Sequence, residues 1–191
     1  MSATEAGLEA LLAQRGALLD GHFRLSSGRH SDRFVQKFRL LEDPVLVQSV
    51  AEAIAAHFRA QRPTLVAGAA IGGIVLAYEV AKQLGTRFVF AEKEGGVAML
   101  RRGFAIDPDD RVLIVEDVVT TGLSVREVLG LVRAAGAEVA GIGVVIARGT
   151  RLAEGAPFFS LLDMPLVSHE AGDCPQCEDG IPITDPGSRR T

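Results

Sequence analysis

The sequence predicts an α/β fold, a parallel sheet core flanked by helices, and three observations lead there. Strand-length apolar runs at 64–69 (TLVAGA), 87–91 (RFVFA), 111–116 (RVLIVE) and 138–147 (EVAGIGVVIA) lack polar alternation, as strands buried on both faces do. Stretches of helical periodicity separate them, and an alternation of strand and helix at this spacing implies parallel strands with right-handed crossovers. Of 191 residues, 48% are apolar and only 5% aromatic, a composition that supports one domain with a full core rather than a disordered chain.

The elements follow in order. Leu8, Leu11, Leu12, Leu18 and Leu19 recur at helical spacing and predict a helix over Thr4–Leu19, with Thr4 as N-cap. The next stretch, GHFRLSSGRHSDRFVQKF, alternates and is interrupted by Ser-Ser-Gly, so it reads as short strands around a loop. Asp43 as N-cap and Pro44 at the first helical position open a helix to about Arg59. Beyond the first core strand, 72–85 is a helix closed by Gly85, and 122–136 a helix closed by Gly136. FFSLL at 158–162 is the last strand. From about Ala171 the chain is rich in Gly, Pro, Asp and Arg, which predicts an extended tail or small flap.

The net charge of −4 argues against general attraction to nucleic acid, and no apolar run is long enough to span a bilayer. The expectation is a cytoplasmic protein without nucleic-acid or membrane partners. With only two cysteines, a disulfide framework is excluded.

The chemistry concentrates in VLIVEDVVTTGLS, 112–124. A buried strand ends in two adjacent carboxylates, Glu116 and Asp117, and a hydroxyl-rich turn opens the next helix. Ligands of open α/β sheets bind beyond the carboxyl ends of strands. The helix N-terminus offers free N–H groups and a favourable dipole to an anion. Thr120, Thr121 and Ser124 add hydroxyls, and Gly122 permits close approach. Two unit charges of like sign ~4 Å apart cost about 4 kcal/mol at an effective dielectric of 20, so the acids should avoid the phosphate itself. They can accept from hydroxyls of the same ligand or lie near Mg²⁺. A ribose 5-phosphate fits both halves; without a ligand the stretch is a capped turn with solvent-facing threonines.

This stretch resembles the phosphoribosyl-pyrophosphate (PRPP) motif of type I phosphoribosyltransferases. The resemblance implies a core sheet plus a base-binding hood, with the hood at about 1–40, the core at 41–168 and the tail at 169–191. It implies that Glu116 and Asp117 hold the ribose hydroxyls, and that Val118, Val119, Thr120, Thr121, Gly122, Leu123 and Ser124 wrap the 5-phosphate. FRLSSGRHSDRF is similar to the start of the orotate-specific members. Ser27, Gly28, Arg29 and Ser31 match, and Phe34 matches an aromatic position that stacks on the pyrimidine. Arg148, after VVIA, and Thr120 match positions that contact orotate; a guanidinium suits a carboxylate or ring carbonyl.

The chain departs from the family at two cationic positions: Ser26 stands where lysine is frequent before SGR, and Gly72 where many members carry lysine. Ile71, Gly72 and Gly73 still offer backbone N–H groups to pyrophosphate. In the long 92–110 connection, with Gly95 and Gly96 as hinge, Lys93 matches a basic position of the family, and Arg101 and Arg102 are the expected replacements over the leaving group. Arg101 and Arg102 read equally as a solvated hairpin turn. The implied partners are PRPP, orotate and pyrophosphate, with Mg²⁺ held mainly through PRPP near Asp117, in a homodimer. A transferase for a purine or other base, or a PRPP-sensing regulator without catalysis, remains open. Finally, His169, Cys174 and Cys177 offer three ligands for structural Zn²⁺, with Asp173, Asp179 or a residue across a dimer as a fourth; the same pair also reads as reduced thiols or a redox couple.

Overall fold

Helix α1, Glu5–Gln14, is followed by a strand rather than by more helix. The computed structural model describes residues 5–25, 27–152, 154–165 and 167–186, so Thr4 and Ser26 lie outside it. The helix predicted to Leu19 ends five residues early because Gly16 adopts φ +66°, a left-handed conformation that stops helical propagation. Leu18 and Leu19 instead open β1, Leu18–Arg24, which pairs antiparallel with β2, His30–Val35. A short helix unforeseen in the sequence, α2 at Lys37–Leu41, leads into α3, Pro44–Phe58. There the Asp43 carboxylate accepts from the N–H groups of Val45 (3.0 Å) and Leu46 (3.2 Å), as an N-cap should.

The core alternates β3 (Leu65–Ala69), α4 (Gly72–Leu84), β4 (Arg87–Glu94), β5 (Val97–Leu100), β6 (Arg111–Val119), α5 (Leu123–Ala134), β7 (Glu138–Ala147) and β8 (Phe158–Asp163). The strands form a six-stranded sheet in the order β5-β4-β3-β6-β7-β8, parallel except for the β4–β5 hairpin. Gly95 and Gly96, both with positive φ, turn that hairpin, which places the turn earlier than a hairpin centred on Arg101–Arg102.

Period-two alternation along β6 sends Leu113 and Val115 to the face covered by α3 and α4, and Val112 and Ile114 to the face covered by α5. Burial on both sides accounts for the uninterrupted apolar run.

The tail folds back on the small sheet. His30 and His169 exchange backbone hydrogen bonds (2.9 and 2.8 Å), and Thr184 bonds Arg24 and His22 backbone groups (3.0 and 2.7 Å). Between them lie a 3₁₀ turn at Ala171–Asp173 and one helical turn, α6, at Pro175–Glu178.

Candidate active site

The central strand β6 carries its acids to the carboxyl edge of the sheet, where Glu116 is 6% and Asp117 1% exposed. Side-chain alternation slips by one step across this pair: Val115 and Val118 both face the α3–α4 side. The side chains take over local backbone donors, Glu116 Oε1 accepting from Asp117 N (3.1 Å) and Asp117 Oδ1 from Val118 N (2.7 Å).

Two buried carboxylates side by side require a countercharge. Lys37 supplies it, its Nζ 3.1 Å from Asp117 Oδ2 and 3.4 Å from Oδ1. Burial, and then the neighbouring Asp117 charge, raise Glu116 from 4.5 to about 8. Glu116 therefore holds its proton more readily than an ordinary carboxyl, while Asp117 faces the Lys37 ammonium. The sequence reading missed Lys37. Its signal was a lysine two residues past β2, the strand that follows SGR, and only the fold brings it to the acids.

Helix α4 begins against the same pair. A Cβ on Gly72 would overlap Asp117 Oδ2, and one on Gly73 would stand 3.5 Å from Glu116 Oε1. Glycine at 72 is thus dictated by Asp117. Ile71 is exposed, and the Ala70–Ile71 peptide bond is cis.

Across the edge, Thr120–Gly122 turns into α5. Gly122 has φ +78°, and a Cβ there would overlap Leu152 Cδ2, so conformation and space both demand glycine. No side chain caps α5 at Gly122, and Thr121 Oγ1 makes only a 3.4 Å contact with Leu123 N. A shallow depression of about 50 Å³ lies here, lined by Glu116 and residues 118–125. The turn is braced from behind: Arg126 donates to the Thr121 carbonyl (2.8 Å) and Thr150 to that of Thr120.

Arg148 follows β7 and its N–H bonds the Val119 carbonyl (2.9 Å), which fixes it beside the β6 edge. Its Nε is buried with no hydrogen-bond partner among the described residues, and burial lowers the guanidinium from its ordinary value. A buried, unmatched donor on a cation suits an anionic or carbonyl-bearing ligand.

Other expected residues are engaged elsewhere. Ser27 and Gly28 (φ +82°) form the exposed β1–β2 turn. Arg29 holds the tail, donating to Ser168 Oγ (2.9 Å) and to Glu170. Ser31 donates to the Val167 carbonyl (2.8 Å). Phe34 packs near Phe23, ring centroids 5.8 Å apart. The three loop cations are each paired: Lys93 with Glu127 (2.8 Å), Arg101 with Glu94 (3.5 Å) and Arg102 with Glu92 (2.9 Å).

The metal-ligand set expected at the tail needs correction. Cys174 and Cys177 cluster with His22 and His30, not with His169, Asp173 or Asp179. The bridge with His30 commits the His169 backbone to sheet pairing, and the two strands carry their own histidines to the sulfurs.

This geometry coincides with a known family. A phosphoribosyl transferase domain model matches residues 39–163. An orotate phosphoribosyltransferase of Chlorobaculum parvum is 50% identical over 183 residues, 94% of either chain. The chain belongs to the orotate phosphoribosyltransferase family. Among solved structures, the orotate phosphoribosyltransferase of Aeropyrum pernix superposes with a TM-score of 0.69 at 30% identity, covering 82% of this chain and 93% of its own. An adenine phosphoribosyltransferase of Rhodothermus marinus reaches 0.66 at 26%, covering 83% and 99%, so the fold also serves a purine. Within the orotate phosphoribosyltransferase family, the acids, the α5 turn and the start of α4 therefore sit on a shared phosphoribosyltransferase scaffold. No helix among the described residues is long and apolar enough to cross a membrane.

Proposed function

We propose that the protein transfers the phosphoribosyl group of PRPP to orotate, giving orotidine 5′-phosphate and pyrophosphate on the route to UMP. The observation that carries this reading is the uncapped α5 turn beside a buried pair of adjacent acids. The turn's N–H groups and threonine hydroxyls take the 5-phosphate. Asp117 accepts from a ribose hydroxyl, and Glu116, whose burial favours its protonated form, donates to or accepts from the other. Cleavage at the anomeric carbon leaves positive charge on the ribose, which Asp117 faces. Catalysis is then positioning plus electrostatics, and attack by the orotate nitrogen from the opposite face inverts the centre.

The Arg148 guanidinium and Thr120 receive orotate, under a hood formed by β1, β2 and the tail. The N–H groups of residues 71–73 receive pyrophosphate, joined by Lys93, Arg101 and Arg102 once these exchange their carboxylate partners. Mg²⁺, when bound, neutralises charge on the pyrophosphate. The carboxylate oxygens suit a hard cation, but Lys37 already faces Asp117, so the ion would be held mainly through PRPP, near Asp117. The enzyme is read as cytoplasmic and homodimeric, which fractionation and sedimentation test.

An ultraviolet assay with PRPP and Mg²⁺ decides the base. Turnover of orotate with no turnover of purines is expected. Turnover of adenine alone would reassign the substrate, and PRPP binding without turnover of any base would mean a regulator.

A further inference from the structure

A second cluster lies outside the phosphoribosyl site, where the tail meets the small sheet. We propose that His22, His30, Cys174 and Cys177 form a structural zinc site that clamps the tail onto β1 and β2.

The four ligand atoms lie within 4.8 Å of one another. His22 Nε2 is 3.2 Å from His30 Nδ1. Cys174 Sγ is 3.5 Å and Cys177 Sγ 3.7 Å from His22 Nε2, and Cys177 Sγ is 3.3 Å from His30 Nδ1. Zn–N bonds of about 2.0–2.1 Å and Zn–S bonds of about 2.3 Å give tetrahedral edges of roughly 3.3 Å for N···N and 3.6 Å for N···S. Four of the six edges are close to those of such a tetrahedron, and the other two are no longer than 4.8 Å.

Protonation points the same way. His22 Nδ1 lies 2.8 Å from the Ile181 carbonyl, which can only accept, so Nδ1 carries the hydrogen. In the neutral ring Nε2 then presents its lone pair to the cluster. A metal-bound histidine normally has such an outer partner. Three of the four residues are buried, and two thiolates balance one Zn²⁺. Four protein ligands leave no open position, which marks a structural rather than catalytic ion.

The ligands come from β1, β2 and either end of the first turn of α6. One ion thus joins segments about 150 residues apart in the chain. It also fixes both ends of the loop holding Ser27, Gly28 and Arg29. The inference does not depend on which base is bound.

Protein purified with zinc present and then dialysed is expected to retain one zinc per chain by elemental analysis. X-ray absorption should show two sulfur and two nitrogen neighbours. His169→Ala should keep the zinc, whereas Cys177→Ser and His22→Ala should each lower its affinity at least tenfold. Cys177 is exposed, so its serine variant can lose metal without losing the core. Chelation should speed amide hydrogen exchange in residues 22–30 and 169–184 together and leave β6 and β7 unchanged. Metal-free wild-type protein, full zinc in Cys177→Ser, or unchanged exchange after chelation would overturn the site.

Discussion

Lys37 and Asp117 stand 80 positions apart, yet they meet beside Glu116, whose burial dominates its own titration. At this scale the pH dependence is specific. Glu116 titrates at about 8 in the fold against an ordinary 4.5, so the native state binds more protons than the unfolded chain between those values. Stability contributed by this residue must therefore fall as pH rises through the window, by at most about 1.4 kcal/mol per pH unit. Glu116→Gln should remove that slope, which chemical denaturation at a series of pH values will show. A second residue-level outcome concerns Arg148. A charge-assisted bond to orotate is worth about 1.5–3 kcal/mol, so Arg148→Ala should raise KM for orotate roughly 10–100-fold while that for PRPP moves little. The acids and Arg148 were legible because strand ends in a parallel sheet gather at one edge. Lys37 was not, because nothing local distinguishes it from a surface lysine. The zinc ligands divide likewise: the cysteine spacing is visible along the chain, while His22 and His30 become partners only through strand pairing.

Individual elements were read mainly from punctuation. Asp43-Pro44, Gly85 and Gly136 mark their helix ends by the mechanisms expected of an N-cap and left-handed glycines. The first helix was overextended because Leu18 and Leu19 satisfy helical spacing as well as a strand; Gly16 decides between them. The strand carrying the acids runs three residues past its apparent end, since Val118 and Val119 pair with Ile146 and Ala147. Its following turn depends on Gly122. Gly122→Ala combines left-handed strain with a clash against Leu152, a cost of about 2–4 kcal/mol. Thermal unfolding should register that loss, and PRPP binding should weaken with it.

For the molecule as a whole, the ion pair at Lys37 links the small sheet's exit to the core. Lys37 remains partly solvated, its side chain 39% exposed, so Lys37→Ala should cost about 1–3 kcal/mol, below the range for fully buried pairs. The effect should shrink when Asp117→Asn is already present, and a double-mutant cycle measures the difference. The layered architecture was legible from composition and periodicity, because burial on both faces leaves a continuous apolar signature. The tail's return to β1 and β2 was not, because its bonds join backbone groups and scattered side chains with no period. The missing Cβ at residue 72 carries a last consequence. With Asp117 against that α-carbon, no side chain can enter there, and the balancing ammonium arrives from the segment after β2. Grafting this core beneath a foreign N-terminal module that lacks such an ammonium would leave a naked anion at the crevice floor, so the two parts must be exchanged between relatives as a matched set.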